Sequence, residues 1–343
     1  MKKKILITIY FFLSALFIFR LFYFFNRHRR ITLTYHNIIP NFFFDDTIHL
    51  GVSHRESVFE NHLRFITRRF SETDLKNRIL FTFDDGYQNQ YQIASKLLEK
   101  YNLVGVFFVS LKLIKMGATL TIDQITQWVS YVPNGCYTIF NQSFLINDEN
   151  RVSIFSRIYD RLLSDHLLWG HIENELNVSY SFENLNIHPD FKKLRFSAIS
   201  EVELSEMRKR GHLIAAHSWC HYPLSTLPIE QQQRDFELCV VYMPQYCNSD
   251  WYSYPFGSHQ EVSKETIGLC EQYGFSAAYT NSEISCLYPD RKQNYQLPRI
   301  SLPNHANYYI LDAKLSGFEF FCKAIIAQVK RMFQWKKAII LNG

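Results

Sequence analysis

The chain has 343 residues, of which 47% are hydrophobic and 20% charged, and its formal net charge is +5. This composition supports a large folded core and excludes a globally disordered chain. The basic residues gather near the two ends and form no stripe with interleaved aromatic residues, which argues against a nucleic-acid-binding protein. The seven cysteines include no CxxC pair, so a cysteine-rich zinc site is not supported.

The first thirty residues predict a membrane anchor. Lys2 to Lys4 precede an apolar run from Ile5 to Phe25 that only Arg20 interrupts. As one helix this run would span about 30 Å, which is roughly the hydrocarbon thickness of a bilayer. A cleavable signal peptide would need small residues after the apolar run, and bulky residues stand there instead. We therefore predict an uncleaved, single-pass plasma-membrane anchor over residues 1–30, with its orientation undecided because basic residues flank both sides.

Beyond residue 30 the hydrophobic pattern alternates between strands and helices. Strands are predicted over 31–35, 79–83, 104–109, 213–216, 251–254 and 275–280. Helices are predicted over 52–70, 91–101, 200–211, 226–242 and 263–274. The alternation predicts an α/β domain over residues 31–310, built on a mainly parallel barrel or sheet. In such folds ligands gather at the C-terminal ends of the strands.

Two segments depart from this alternation. Residues 112–198 are polar and aromatic, and we predict an insertion that is partly helical around 122–129 and 152–168. Residues 311–343 predict a C-terminal amphipathic, basic helix. That helix would either pack on the barrel, which we favour, or lie on a membrane surface.

Two adjacent carboxylates follow the second predicted strand. Asp84 and Asp85 come directly after Phe81-Thr82-Phe83 and precede Gly86. Adjacent strand residues point to opposite sides, but a glycine at the strand end allows a turn that brings both carboxylates to one pocket. One carboxylate can then bind a cation while the other takes a proton. Asp-Asp-Gly is also an ordinary turn sequence, and the similar pair at 45–46 is interpreted as loop.

Two histidines follow the strand predicted at 213–216. His217 and His221 are four residues apart, on a helical turn or a tight loop, and can reach the same metal ion. The alternative is one buried core histidine and one surface histidine. Two imidazoles with one carboxylate leave coordination positions open for water, which is typical of a catalytic metal site. Together with the aspartate pair, the pattern favours a metal centre.

These motifs resemble those of the polysaccharide deacetylase family (NodB-like, carbohydrate esterase family 4). Thr82 to Gly86 and His217-Ser218-x-x-His221 resemble the family's first two motifs. The segment of Tyr254, Pro255, Phe256 and Gly257 resembles the family's third motif. Leu297-Pro298-Arg299-Ile300 and Thr34-Tyr35-His36-Asn37 resemble segments of branches linked to surface-polysaccharide synthesis. The similarity covers roughly residues 31–303 and implies a distorted (β/α) barrel of the NodB type.

The resemblance also implies roles for these residues. Asp85, His217 and His221 would bind a divalent metal ion, zinc first, with iron, cobalt or nickel as alternatives. Asp84 would be the general base, and the loop from Tyr254 to Gly257 would offer a backbone N–H to the oxyanion. The predicted function is removal of an N-acetyl group from an amino sugar of a surface polysaccharide or lipid-linked glycan. Residues 5–25 would provide the membrane contact, and no nucleic-acid partner is expected.

The sequence departs from the family's pattern at two positions. The third motif often begins with an arginine that holds the base, which is missing here, and Arg299 is either its replacement or a structural ion-pair residue. No leucine-flanked acid histidine follows Arg299, so the protonating group stays unassigned between His36, which is better placed, and His305. These departures leave two alternatives: a catalytically impaired glycan-binding or scaffold protein, and a glycosidase that would need a second acid nearby.

Overall fold

The computed structural model describes residues 2–44, 52–117, 119–258, 261–283 and 294–342, so the aspartate pair at 45–46 lies outside the described residues. The strands are β1 Ile31–Tyr35, β2 Asn37–Ile39, β3 Ser53–Arg55, β4 Ile79–Asp85, β5 Gly105–Val109, β6 Gly135–Ile139, β7 Gln142–Ile146, β8 Leu213–Ala216, β9 Trp251–Ser253, β10 Ala277–Tyr279 and β11 Ile300–Ser301. Seven of them form one sheet in the order β10-β9-β8-β5-β4-β1-β11, with every neighbouring pair parallel. The predicted parallel α/β architecture is confirmed.

The sheet curls until its two edges meet on one segment of chain. Leu297 pairs with Tyr279 at one edge, and Ile300 pairs with Leu33 at the other. The interior of this distorted barrel is small and is filled by side chains such as Val106 and Phe108. Because strand side chains alternate, Thr82 and Asp84 share the interior face while Phe81 and Phe83 face the helices. A carboxylate therefore points into the barrel at the end of β4.

Helices surround the sheet. They are α1 Lys2–Ala15, α2 Ile18–Phe25, α3 Glu56–Arg69, α4 Glu72–Asn77, α5 Lys96–Lys100, α6 Leu111–Met116, α7 Thr121–Tyr131, α8 Arg151–Ser164, α9 Ile172–Ser179, α10 Pro189–Phe196, α11 Glu201–Lys209, α12 Ile229–Tyr246, α13 Lys264–Gln272, α14 Tyr308–Ser316 and α15 Phe318–Asn342. Ser200 and Glu203 form a capping box at the start of α11. The start predicted for the helix over 226–242 is too early: the Thr226 hydroxyl bonds to the Pro223 carbonyl, and α12 begins only after Pro228.

The segment predicted as an insertion has a hydrophobic core of its own. Trp128, Trp169 and Leu176 are buried in it, and α7, α8, α9 and the β6–β7 hairpin contribute side chains to it. The hairpin was not predicted. Its two-residue turn places Phe140 and Asn141 at φ of 48° and 59°, the left-handed geometry that suits a right-twisted hairpin.

The predicted single helix over residues 5–25 is wrong in one respect, because the structure breaks it in two. α1 and α2 meet at an angle of 72°. Phe17 lies at the break in the left-handed region, with φ of 59°. The bend allows both Tyr10 and Phe19 to pack against the Phe318 ring of α15, with ring centroids 6.2 and 5.4 Å away. Within the described ranges no single helix is long and apolar enough to cross a membrane; this pair meets that requirement only when its two helices are taken together.

The C-terminal stretch is also divided. Gly317, at φ of 90°, ends α14, and α15 starts at the next residue. α14 packs on the domain core through Leu311 and Leu315 and on the N-terminal helices through Ile310, and all three side chains are buried. The amphipathic pattern that predicted one helix over this region therefore belongs to two.

Two buried histidines link the stability of the fold to pH. His54 and His62 are 3% and 0% exposed. Nε2 of His54 donates to the Leu302 carbonyl at 2.8 Å, and Nε2 of His62 donates to the His305 carbonyl at 3.3 Å. Burial lowers the pKa of His54 to about 4 and that of His62 to about 3. Both imidazoles are therefore neutral in the folded protein at neutral pH.

We expect the free energy of unfolding to fall as the pH drops below about 6.5, the ordinary pKa of an unfolded histidine. Between that pH and the folded pKa only the unfolded chain binds these protons, so stability declines by up to about 2.7 kcal/mol per pH unit for the two groups together. Denaturant unfolding at pH 7 and pH 5 measures the decline. His62→Gln keeps a donor for the His305 carbonyl and is expected to reduce the slope by about half, because His54 remains; an equally steep decline in that variant would contradict this origin.

Candidate metal and catalytic site

The end of β4 presents both aspartates to one pocket. Asp85 adopts φ of 84° and Gly86 follows at 90°. A Cβ at position 86 would come within 3.0 Å of the Val109 side chain, so glycine is required by both conformation and space. Holding the non-glycine Asp85 in the left-handed region costs on the order of 1–3 kcal/mol. Because of this turn the Asp85 side chain points to the same pocket as the Asp84 side chain, which still faces the barrel interior.

Asp85, His217 and His221 converge. Oδ1 of Asp85 lies 3.0 Å from Nε2 of His221 and 3.4 Å from Nε2 of His217. One ligand atom from each residue lies within 4.8 Å of the others, and all three residues are buried. The two histidines come from the loop after β8, where Ser218 and His221 adopt φ of 63° and 58°. Two left-handed residues so close together indicate a loop whose shape is set by the position of the imidazoles.

The donors of this triad are oriented for a cation. Nδ1 of His217 donates to the Ser253 carbonyl at 2.8 Å, which leaves Nε2 as the free lone pair. Oδ1 of Asp85 is buried and accepts no well-aligned hydrogen bond from the residues that the structure describes, although both Nε2 atoms are close. Two nitrogen donors and one carboxylate suit zinc and related divalent metals. These residues therefore fit a divalent metal ion.

The charges of the triad favour the same occupant. Burial by itself raises the pKa of Asp85, but the charge of His221 and the close approach of both imidazoles bring it well below its ordinary value. Burial likewise lowers the pKa of His221, and the Asp85 charge overcomes this and raises it. The Asp85 carboxylate is thus a buried negative charge that a bound cation would neutralise.

Asp84 is bound by Arg299 at the centre of the barrel. The guanidinium donates from its two terminal nitrogens to Oδ1 and Oδ2, at 2.7 and 2.6 Å. Both side chains are 0% exposed. Burial raises the pKa of Asp84, but Arg299 and then His217 lower it below its ordinary value. Nε2 of His217 is also 4.0 Å from Oδ2 of Asp84, so the paired carboxylate borders the metal triad.

Asn281 connects this ion pair to the loop of the third motif. Its Oδ1 accepts from Arg299 at 2.9 Å, and its Nδ2 donates to the Phe256 carbonyl at 2.7 Å. Its backbone N–H donates to the Gly257 carbonyl at 2.8 Å. A Cβ on Gly257 would come within 2.9 Å of the Asn281 nitrogen. The position of the loop is therefore coupled to that of the Asp84–Arg299 pair.

The loop itself borders the triad. Tyr254 is buried, its N–H donates to the Tyr279 carbonyl, and its hydroxyl donates to the Tyr295 carbonyl. The N–H of Gly257 donates to the carbonyl of Pro255, which has no N–H of its own. The Phe256 ring lies 5.1 Å from the His221 ring. Among the described residues of this loop, the backbone N–H of Phe256 donates no hydrogen bond within the fold.

The structure separates the two histidines considered as proton donors. Nε2 of His36 lies 3.8 Å from Oδ2 of Asp84. Burial lowers the pKa of His36, and the charges of Asp85 and Asp84 oppose that effect only partly. His305 lies on the segment before α14, where its carbonyl accepts from His62. His36 is therefore the histidine that the first strand brings beside the carboxylate.

Two site residues were missed by sequence reasoning. Asp235 is buried and accepts from the backbone N–H groups of Trp219 and Cys220, both at 2.9 Å, and from the Ser218 hydroxyl at 3.2 Å. It thereby fixes the loop that carries both histidines. The sequence feature that could have identified Asp235 is a charged residue next to Phe236 on the apolar face of α12. Asn281 offered no comparable local signal.

The fold and the site together define a class of protein. It is a parallel α/β barrel whose strand ends carry one aspartate–histidine triad that fits a cation and a second aspartate that is paired with an arginine. The family model described as polysaccharide deacetylase matches residues 171–278, which include both histidines and the Tyr254–Gly257 loop. The resemblance to that family is confirmed over these residues. No curated protein matches the chain.

Several solved structures are similar to the chain at low sequence identity. The Streptococcus pyogenes deacetylase PplD in complex with acetate is 13% identical, with 83% of this chain and 97% of that chain covered and a TM-score of 0.49. IcaB from Ammonifex degensii is 14% identical, with 84% and 97% covered and a TM-score of 0.47. A de-N-acetylase from Aggregatibacter actinomycetemcomitans is 13% identical, with 79% and 94% covered and a TM-score of 0.44.

Proposed function

We propose that this chain is a divalent-metal-dependent hydrolase that removes the N-acetyl group from an amino sugar of a surface polysaccharide or lipid-linked glycan. The observation that carries the proposal is the placement of the Asp84–Arg299 pair against the Asp85, His217 and His221 triad. The family match over residues 171–278 supports the reaction class. A cation site alone would serve binding as well as catalysis, but a second buried carboxylate beside it supplies a base.

Asp85, His217 and His221 would hold the metal ion, with zinc the first choice for two imidazoles and a carboxylate. When bound there, such an ion supplies Lewis-acid polarisation of the acetamide carbonyl and makes water easier to deprotonate. The loop fixed by Asp235 keeps both imidazoles in place.

Asp84 would accept the proton of the attacking water. Its lowered pKa keeps it ionised at neutral pH, so it is ready to act as a base. Arg299 fixes both carboxylate oxygens, and the remaining lone pairs face the pocket, where Ser253 and His36 lie 3.4 and 3.8 Å from Oδ2. Arg299 would thus do the work of the arginine missing from the third motif.

The N–H of Phe256 would stabilise the oxyanion that develops on the acetamide carbonyl. Backbone donors held in a fixed orientation are worth most where charge develops in the transition state. Asn281 holds the carbonyls of Phe256 and Gly257, so the amide is fixed before substrate arrives.

His36 would protonate the leaving amine. It is neutral in the resting site because burial lowers its pKa, and its Nε2 lies 3.8 Å from Oδ2 of Asp84, a gap that a water or a small side-chain shift would bridge for the proton that the base removes. Its Nδ1 is buried without a hydrogen-bond partner in the part of the chain that the structure describes. The orphaned nitrogen supports a role in moving a proton.

The proposal is tested by acetate release from N-acetylglucosamine oligomers. We expect activity to be lost when a chelator removes the metal and restored by zinc or another divalent ion, because the ion is the proposed Lewis acid that polarises the carbonyl. His217→Gln and His221→Gln are expected to bind less metal and to lose activity together. His166→Gln, on a histidine of the insertion away from the triad, is the matched control.

Two results would contradict the proposal. One is a purified protein that binds no divalent ion at micromolar concentrations. The other is full activity in the presence of excess chelator. Reducing ends instead of free acetate among the products would indicate a glycosidase.

A further inference from the structure

Exposed apolar side chains are concentrated at the two ends of the chain. Of the 27 large apolar side chains exposed among the described residues, 14 lie on α1, α2, the break between them, or α15. They are Ile5, Leu6, Ile9, Phe11, Phe12, Leu16, Phe17, Leu21, Phe24, Phe25, Phe321, Ile325, Ile326 and Val329. A patch of this size on a folded protein marks a surface that something else covers. We call this set the terminal face.

The terminal face is one surface because the helices that form it pack on each other. The Phe22 ring lies 5.2 Å from that of Phe318 and 5.3 Å from that of Phe321. Phe19, on the buried side of α2, also contacts Phe318. The aromatic contacts therefore join the N-terminal helix pair to α15.

The terminal face is also fixed to the catalytic domain. The Tyr23 hydroxyl donates to Asp312 at 3.0 Å, and the Asn26 side chain donates to the Ser316 carbonyl at 2.8 Å. Arg69 of α3 binds the same Asp312 at 3.3 Å and stacks on the Tyr23 ring. A freely attached transmembrane anchor would not need these polar contacts with the domain.

The dimensions of α1 and α2 suit a position in the membrane surface. At 14 and 8 residues, the two helices are about 21 and about 12 Å long. With a bend of 72° between them they do not reach straight across a hydrocarbon core of about 30 Å. Straightening the pair would detach Phe19 from the buried contacts it makes with Tyr10 and Phe318.

The charges around the terminal face favour an anionic lipid surface as its binding partner. No aspartate or glutamate occurs in residues 1–44 or in residues 320–343, whereas both stretches carry several lysines and arginines. Arg20 and Arg27 lie over the Phe17 and Phe24 rings, so positive charge is placed directly beside the apolar surface. Aromatic side chains flanked by basic ones are typical of helices that lie in the headgroup region.

We propose that the terminal face, with α15 as an integral part of it, binds the surface of an anionic bilayer and lies in its plane. The α1 and α2 part of the face lies at the N-terminal ends of the strands, whereas α15 also reaches the segment after β10, where Lys323 binds Glu283 at 3.0 Å. Arg78, which precedes β4, donates to the Asn26 carbonyl at 3.2 Å, and β1 begins shortly after α2. The site residues follow the opposite ends, about 23 Å away along the seven residues of β4.

The active site therefore lies about 23 Å from α1 and α2, along the length of β4. If the proposed function holds, on which this consequence rests, a polymeric glycan that extends from the membrane suits this distance better than a sugar held at a lipid headgroup.

Flotation of the purified full-length chain with vesicles tests the surface. We expect binding to vesicles of phosphatidylethanolamine and phosphatidylglycerol that is at least tenfold tighter than binding to phosphatidylcholine alone and that weakens with salt. Two triple variants are expected to lose at least tenfold in binding: Phe17→Ser/Phe24→Ser/Phe25→Ser, and Ile325→Ser/Ile326→Ser/Val329→Ser. The matched control, on other faces, is Val104→Ser/Val178→Ser/Val202→Ser, whose side chains are also exposed.

If the α15 triple variant still binds vesicles, α15 is not part of the binding surface and the proposal is wrong on that point. Absence of vesicle binding with concentration-dependent dimerisation would instead indicate a second copy of the chain as the occupant. An epitope added before Met1 distinguishes a surface helix from a spanning one. Protease added outside sealed vesicles removes the epitope completely if the helices lie in the surface, and a protected fragment would overturn the proposal. None of these readouts depends on deacetylase activity, so their failure leaves the proposed function standing.

Discussion

Asp84→Asn is expected to reduce acetate release by about 10²- to 10⁴-fold, because it removes the group that takes the proton from water. The amide keeps the size of the carboxylate and can still accept from Arg299, whose guanidinium lies 2.7 Å from Oδ1. Metal affinity is expected to change little, since the cation donors are Asp85, His217 and His221. Steady-state kinetics on N-acetylglucosamine oligomers, with metal titration of the same preparation, measure both quantities.

The control for this prediction is another buried aspartate paired with an arginine. Asp123 binds Arg195 at 3.0 Å, and both side chains are buried. Asp123→Asn loses a buried ion pair in the same way but removes no proposed base, so we expect it to lose stability and to retain activity within about tenfold. Unchanged turnover in Asp84→Asn would favour the glycan-binding or scaffold alternative.

Local sequence patterns were sufficient to predict the role of a residue when that role depends on its immediate neighbours in the chain. The turn after β4 follows from Asp85 and Gly86, and the four-residue spacing of His217 and His221 after β8 identified both as candidate ligands. The alternation of strands and helices predicted the parallel sheet for the same reason. These parts of the site could be read from short stretches of chain.

Other parts depend on contacts between distant segments. The pairing of Arg299 with Asp84 requires the barrel to close on the 297–301 segment, and the sequence left that arginine undecided between two roles. Asn281 and Asp235 act through backbone groups of loops that are remote in the chain. The bend at Phe17 follows from packing of Phe19 against α15, which no hydrophobicity pattern within the first thirty residues contains.

Arg299→Met is expected to destabilise the fold by about 3–5 kcal/mol at pH 7, because it leaves Asp84 buried without its partner. Without the guanidinium, burial becomes the dominant influence and raises the pKa of Asp84 above its unfolded value. The folded variant then holds a proton that the unfolded chain releases, so its stability falls as the pH rises through the folded pKa. The deficit relative to the parent protein is therefore expected to be smaller at pH 5 than at pH 7 by denaturant unfolding.

The same substitution separates a structural ion pair from a catalytic one. If Arg299 also keeps the base ionised, the acid limb of the kcat/KM profile moves to higher pH in Arg299→Met, because Asp84 now loses its proton later. In the double variant Asp84→Asn/Arg299→Met no buried charge is left unpaired, so it is expected to be more stable than Arg299→Met alone. A double variant as unstable as the sum of the two single variants would show that the pair contributes through packing around the guanidinium and not through its charge. An unmoved acid limb would leave Arg299 with a structural role only.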